Sequence, residues 1–185
     1  MRQIPFSLAL ICCVLLVCGC ATTRSTDSAA ASPGDSPRGV ILSPEDEAVA
    51  IGRFRKFFAD VTAESVSRNL PATYASDAYF NDTLKTLNGR EEIKAYFLQM
   101  AAHTDFVKAT VVDSAHSGRN YYVRWVMDVR FKGSKKTIRT IGMTHLMFDR
   151  DGRIVMHQDY WDSAAGFFEH VPAIGVSIRW VKSLL

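Results

Sequence analysis

A chain of 185 residues with 48% hydrophobic and 22% charged residues has the size and balance of one domain around one core, not of a disordered segment. Its 22 Lys and Arg against 19 Asp and Glu leave a net charge of only +3, scattered along the chain, which gives no nucleic-acid footprint. All four cysteines, Cys12, Cys13, Cys18 and Cys20, fall in the first twenty residues, so the rest of the chain holds neither a disulfide nor a thiolate metal site.

Arg2 precedes an apolar run over residues 6–17. That run is too short for a permanent membrane span and fits the apolar region of a signal peptide. Val17-Cys18-Gly19-Cys20 resembles a bacterial lipobox, an aliphatic residue and two small ones before a cysteine. The resemblance implies cleavage after residue 19 and lipidation of Cys20, with several acyl chains giving firm membrane residence. An ordinary secretory signal followed by a free cysteine fits the same apolar run. Residues 20–39 are rich in Ser, Ala, Thr, Pro and Asp and read as a flexible tether. At roughly 5–6 Å × √n, such a tether holds the remainder of the chain about 25 Å from the membrane. Ala21 after the lipidated cysteine favours the periplasmic face of the outer membrane over the inner membrane.

Residues 40–185 are expected to form one domain. Ser43-Pro44-Glu45-Asp46-Glu47 opens a helix, with a serine cap, a proline in the first turn and carboxylates at the positive end of the dipole. Ala48, Ile51, Phe54, Phe57 and Phe58 then recur at helical spacing. A second short helix is expected over 63–70 and an extended segment over 74–82. A third helix starts at Gly89-Arg90-Glu91-Glu92, with Ile93, Tyr96, Phe97 and Met100 on its buried stripe.

The period then changes to two. Extended runs over 106–115, 121–131, 137–148 and 153–161 are joined by turn sequences such as Lys132-Gly133-Ser134 and Asp149-Arg150-Asp151-Gly152. Helices first and hairpin-connected strands afterwards predict an α+β fold, its helices packed on one face of an antiparallel sheet. In the second run Tyr121, Val123, Trp125, Met127, Val129 and Phe131 alternate with Tyr122, Arg124, Val126, Asp128, Arg130 and Lys132, so the first set faces the helices. A C-terminal amphipathic helix is expected from about residue 163. Its Ile174, Ile178, Val181 and Leu185 form a stripe beside Trp180, with Arg179 and Lys182 outside it. The favoured reading covers apolar surface of the sheet, and the alternative lays a basic amphipathic helix on the bilayer.

This order of elements resembles the nuclear transport factor 2-like superfamily, which includes ketosteroid isomerases and SnoaL-like polyketide cyclases. The residues that carry the resemblance are Tyr74-Ala75-Ser76-Asp77-Ala78-Tyr79-Phe80-Asn81-Asp82 with Leu87-Asn88-Gly89-Arg90-Glu91-Glu92-Ile93, then Thr144-His145-Leu146-Met147-Phe148-Asp149. The stretch Asp151-Gly152-Arg153-Ile154-Val155-Met156-His157-Gln158-Asp159-Tyr160-Trp161-Asp162 is similar to the ending of SnoaL-like chains. The resemblance implies a cone whose curved sheet and helices enclose a pocket. Asp82 matches the general-base aspartate of ketosteroid isomerases. His157, Asp159 and Trp161 share one face of the last strand, and by the resemblance that face looks into the cone beside Trp125 and Met127. Phe57 or Phe58, and Thr144, stand where isomerases carry their oxyanion donors, so steroid isomerisation is not expected.

Two readings stand for each candidate. Asp82 is either a base in an apolar pocket or the cap of the turn before Thr83. His157 and Asp159 are either an acid–base pair or a buried pair that satisfies itself. Asp162 is out of phase with them and fits a cap for the segment from Ser163. His145 falls on the face opposite Thr144, away from His157, and so no metal site and no cofactor is expected. The expectation is a lipid-anchored envelope protein binding a small apolar ligand, with proton transfer on a carbonyl compound if catalytic. Asp82, His157 and Asp159 would carry the chemistry, and Trp125, Met127, Thr144 and Trp161 would line the pocket. The alternative is a non-catalytic adaptor or dimerisation module of the envelope, and family habit suggests a homodimer.

Overall fold

A computed structural model describes residues 39–171 and 174–184. The signal, lipobox and tether expectations, with Cys20, lie outside these residues, as does Leu185. The chain runs α1 (Pro44–Phe58), α2 (Ala63–Thr73), β1 (Tyr74–Asn81), β2 (Thr86–Asn88), α3 (Arg90–His103), β3 (Thr104–Ser117), β4 (Asn120–Phe131), β5 (Ile138–Phe148) and β6 (Ile154–Trp161). A short α4 (Ser163–Gly166), a 3-10 turn (Phe168–His170) and α5 (Ile174–Lys182) complete it.

The helix ends follow their caps. Ser43 Oγ accepts from the amide of Asp46, and Thr62 Oγ1 accepts from that of Ser65. The second helix outruns its expected end at residue 70. It passes Pro71 and closes at Thr73, whose hydroxyl donates to the Asn69 carbonyl. Helix α1 buries Ala50, Ile51, Phe54 and Phe57, and α3 buries Ile93 and Phe97. Phe57, Phe97, Tyr74 and Phe80 meet edge to face with centroids 5.0–6.5 Å apart, an arrangement aromatic rings favour.

Six strands form one sheet in the order β2-β1-β6-β5-β4-β3. It is the α+β layer arrangement expected, with two differences. Residues 86–88 add a short strand, because Asp82 turns the chain back into a hairpin with β1. The sheet is antiparallel except that β1 runs parallel to β6, since no hairpin links these two and their directions are not constrained to oppose. Their register sets Phe80 beside His157 and Asn81 beside Gln158, so Asp82 and Asp159 leave the same end of neighbouring strands. Register shifts within β3, at Thr104–Phe106 and Val111–Asp113, bend the long β3–β4 ribbon over the helices.

The faces follow the alternation of β4. Tyr121, Val123 and Trp125 are buried under the helices. The outer face carries Arg124–Asp113, Arg130–Asp105 and Arg139–Asp128 ion pairs, exposed and individually weak. His145 is on that face, its Nε2 3.0 Å from Asn120 Oδ1 and its ring stacked on Tyr122.

The C-terminal segment departs most from expectation, with a short α4 and a 3-10 turn where a helix was expected from about residue 163. Asp162 nevertheless caps α4 as its phase suggested, its Oδ1 accepting from the amide of Ala165. Helix α5 packs against the 3-10 turn rather than covering the sheet. Its Arg179 donates to the Glu169 carbonyl and its Lys182 binds the Glu169 carboxylate at 2.6 Å.

Candidate functional site

Between the inner face of the sheet and helices α1 and α3 lies a cavity of about 480 Å³. Phe54 and Phe58 line it from the helices, Trp125, Met127 and Phe131 from β4. Gly166, Phe167 and Phe168 cover one end, where Phe167 meets Phe131 with centroids 6.2 Å apart. Asp82, Tyr96, Thr144, His157 and Asp159 add polar side chains to this apolar lining, the usual composition of a small-molecule site.

Asp82 does both things the sequence allows. Its Oδ1 accepts from the amides of Leu84 and Lys85 and so shapes the turn after β1. Its Oδ2 accepts from the Tyr96 hydroxyl at 2.5 Å, while the Trp161 indole donates to its backbone carbonyl at 2.8 Å. The whole residue is 7% exposed. Burial, then the Asp82 charge and its hydrogen bond, push the Tyr96 phenol far above its ordinary value. Tyr96 is therefore a proton donor at any working pH. Its place on the α3 stripe marks it only as a core residue, because helical periodicity cannot tell a buried wall from a cavity wall.

The second carboxylate sits in a directed chain of hydrogen bonds. The Trp125 indole N–H can only donate, and it donates to Thr144 Oγ1 at 2.8 Å. Thr144 must then send its own proton to Asp159 Oδ1, at 2.5 Å. His157 Nε2 meets the same oxygen at 2.9 Å, and His157 Nδ1 lies 2.9 Å from the Tyr74 hydroxyl. A neutral imidazole with its proton on Nε2 satisfies every member: Tyr74 donates to Nδ1 and Nε2 donates to Asp159. Burial first, then the charges of Asp159 and Asp82, raise the Tyr74 phenol and keep it a donor.

His157 is 1% exposed, with Phe80 at 4.6 Å and Phe58 at 5.8 Å between ring centroids. Both its nitrogens are engaged, so it orients Asp159 rather than reaching a ligand itself. Both bonds to Asp159 fall on Oδ1 and leave Oδ2 outside the chain. Of the two candidate oxyanion positions, Phe57 is core and Phe58 faces the cavity. Thr144 is committed to Asp159, as Tyr96, the phenol of the cavity wall, is to Asp82.

One polar atom in this wall has no partner. Thr140 Oγ1 is buried and makes no hydrogen bond. A buried hydroxyl left unpaired costs about 1–3 kcal/mol, so Thr140 is a local weakness in the packing of this wall. Nothing in the strand pattern distinguishes it from its neighbours. The seven residues expected in the site, Asp82, Trp125, Met127, Thr144, His157, Asp159 and Trp161, all line the one cavity. Tyr96, Thr140 and the covering residues 166–168 are unforeseen members of the lining, and Tyr74 joins the site from behind it through His157. Among the described residues no group of three His, Cys, Asp or Glu is placed to hold a metal ion.

The sequence profile of the SnoaL-like domain matches residues 54–157. The chain belongs to that family. Among solved structures, it is similar to a protein of ketosteroid isomerase-like fold from Catenulispora acidiphila DSM 44928, solved in complex with trimethylamine. That match has 19% identity and a TM-score of 0.56 over 68% of this chain and 91% of the other. An LEH-like epoxide hydrolase of M. tuberculosis matches with 14% identity and a TM-score of 0.55, over 66% and 87% of the two chains. A candidate SnoaL-like polyketide cyclase from Jannaschia sp. CCS1 matches with 12% identity and a TM-score of 0.55, over 71% and 96%. At these identities the likeness is one of fold. No curated protein sequence matches the chain.

Proposed function

We propose that this SnoaL-like chain is a lipid-anchored protein of the bacterial cell envelope that binds a small apolar carbonyl compound and moves a proton on it. The observation that carries the reading is the convergence of two carboxylates, each with its own fixed donor, on one apolar cavity. Asp82 Oδ2 is the base that takes a proton from the carbon next to the carbonyl. The electron pair of that C–H bond moves onto the carbonyl oxygen; the Tyr96 hydroxyl, whose one proton is bonded to Oδ2 in the free protein, turns to that oxygen as Oδ2 takes up the substrate proton. Protonated Asp82 then returns its proton to the same or a neighbouring carbon, which closes the cycle without a cofactor. Asp159, oriented by His157 and Thr144, accepts from a hydroxyl or N–H elsewhere on the ligand, while Trp125, Met127 and Trp161 hold its apolar body.

The anchor reading rests on Val17-Cys18-Gly19-Cys20 and the tether composition. No helix among the described residues is long and apolar enough to cross a membrane. Lipid on Cys20 would set the domain at the membrane, with the periplasmic face of the outer membrane favoured by Ala21. Incorporation of labelled palmitate, abolished by Cys20→Ser, tests this half.

The chemistry is tested by hydrogen–deuterium exchange on a panel of apolar ketones in D₂O, read by NMR. The wild-type chain should speed exchange next to the carbonyl. Asp82→Asn should cut the rate by roughly 10²–10⁴-fold with ligand affinity nearly kept, and an unchanged rate refutes the mechanism. A binding role without turnover, as an adaptor or dimerisation module, is favoured by one observation. Every polar group from Trp125 to Tyr74 already has a partner within the protein. The outer sheet face, with Ile141, Met143 and Tyr160 exposed, would be the surface of a homodimer.

A further inference from the structure

Helix α5 is amphipathic in the reverse sense to a helix that caps a core. At 3.6 residues per turn, Gly175, Arg179 and Lys182 fall on one side with Ile178 at its edge, and that side faces the protein, with Gly175 buried and Ile178 half-buried. Arg179 and Lys182 grip Glu169, and a β-carbon on Gly175 would overlap the Glu169 carbonyl, so only glycine allows this approach. The apolar side faces outward. Ile174, Val176, Trp180 and Val181, with Leu184 just beyond the helix, are between 47% and 65% exposed.

Two further observations say what this face meets. The β4–β5 turn, beside Phe131 and its contact Phe167, exposes Lys132, Lys135 and Lys136. An apolar helix face with an indole, and lysines on a turn next to the segment this helix packs against, match the boundary between acyl chains and anionic headgroups. In the sequence, Cys20, the lipidation site of the anchor reading, stands only a short tether before Val40. From these we infer that α5 is a membrane-docking helix. Val176, Trp180 and Leu184 enter an anionic bilayer surface, and the three lysines meet its headgroups. The segment that covers the cavity, Gly166 to Phe168, is then held next to the lipid through Glu169. This rests on the anchor reading for proximity to a membrane, not for the character of the helix.

The experiment uses the full-length chain with vesicles of phosphatidylcholine and phosphatidylglycerol whose acyl chains are brominated, reading tryptophan quenching. The wild-type chain should be quenched, and Trp180→Phe should lose most of that quenching although Trp125 and Trp161 remain. Val176→Glu should weaken the vesicle interaction about tenfold while leaving the thermal midpoint unchanged. Vesicles of phosphatidylcholine alone should be bound less well. Quenching equal in wild type and Trp180→Phe overturns the proposal, as does Val176→Glu abolishing self-association in the absence of vesicles, which makes the occupant a second copy. Palmitate incorporation is read on the same preparations. A chain acylated but unquenched at Trp180 refutes the docking helix and leaves the anchor, and one quenched but not acylated does the reverse.

Discussion

Trp125 lies flat across Gly142 on the neighbouring strand, and a β-carbon at Gly142 would overlap its indole ring. The bare glycine backbone lets the indole cross β5 and donate to Thr144, two residues along the same strand. A single missing side chain thus starts the hydrogen-bond chain that ends at His157 and Tyr74. Gly142→Ala should lift the indole and break its bond to Thr144. Overpacking of this kind costs about 1–3 kcal/mol. Urea titration with a shift in tryptophan emission reads it, and an unchanged midpoint and emission would show that the ring has room to spare.

Thr140→Val removes a buried hydroxyl that has no partner, so the protein should gain up to about 1 kcal/mol, read as a raised midpoint in a thermal melt. Loss of stability in the variant would mean that the hydroxyl is paired after all.

Tyr96 and Tyr74 set the alkaline limit. Folding raises both phenols, first by burial and then through the nearby Asp82 and Asp159. The unfolded chain ionises these groups near pH 10 (about the ordinary tyrosine value). Their contribution is whole below that pH and is lost as pH rises beyond it, because the unfolded state then releases protons that the folded state keeps. Tyr96→Phe should flatten the decline in urea midpoint above about pH 10. A variant as alkali-sensitive as wild type would rule out Tyr96 as a contributor.

His145 acts at the other end of the scale. Burial lowers its imidazole from the ordinary value, so the folded state resists its protonation. Stability from this group is present above about pH 6.5 and is lost as pH falls below it, where the unfolded chain binds the proton first. His145→Gln keeps a donor toward Asn120 and should lose the acid-side decline between about pH 6.5 and pH 5. The check is the difference in urea midpoint between the two proteins across that range.

Much of the fold was legible from local chemistry. The Ser43 cap, the period-two run of β4 and the turn sequences depend on neighbours within a few residues, and these interactions act before any tertiary contact forms. The site was legible as residue types on strand faces. His157, Asp159 and Trp161 alternate on β6, and Trp125 and Met127 alternate on β4. Period two fixes which side a residue takes, although it does not say what stands opposite.

What stands opposite was decided by the tertiary structure. The parallel pairing of β1 with β6 joins segments far apart in sequence, and it alone brings Asp82 to the end of the sheet where Asp159 emerges. Tyr96 belongs to the site because α3 crosses the sheet above Asp82, and Tyr74 because its ring packs on His157. The outward apolar face of α5 was hidden for the same reason. The stripe read from the sequence, Ile174, Ile178 and Val181, is only partly the exposed face: with Glu169 holding Arg179 and Lys182, Ile178 is half-buried and Val176 and Trp180 are outward. Periodicity is a property of consecutive residues and is fixed by the sequence. The partner of each face is chosen by which distant surfaces bury the most apolar area while satisfying their polar atoms, and only the assembled fold makes that choice.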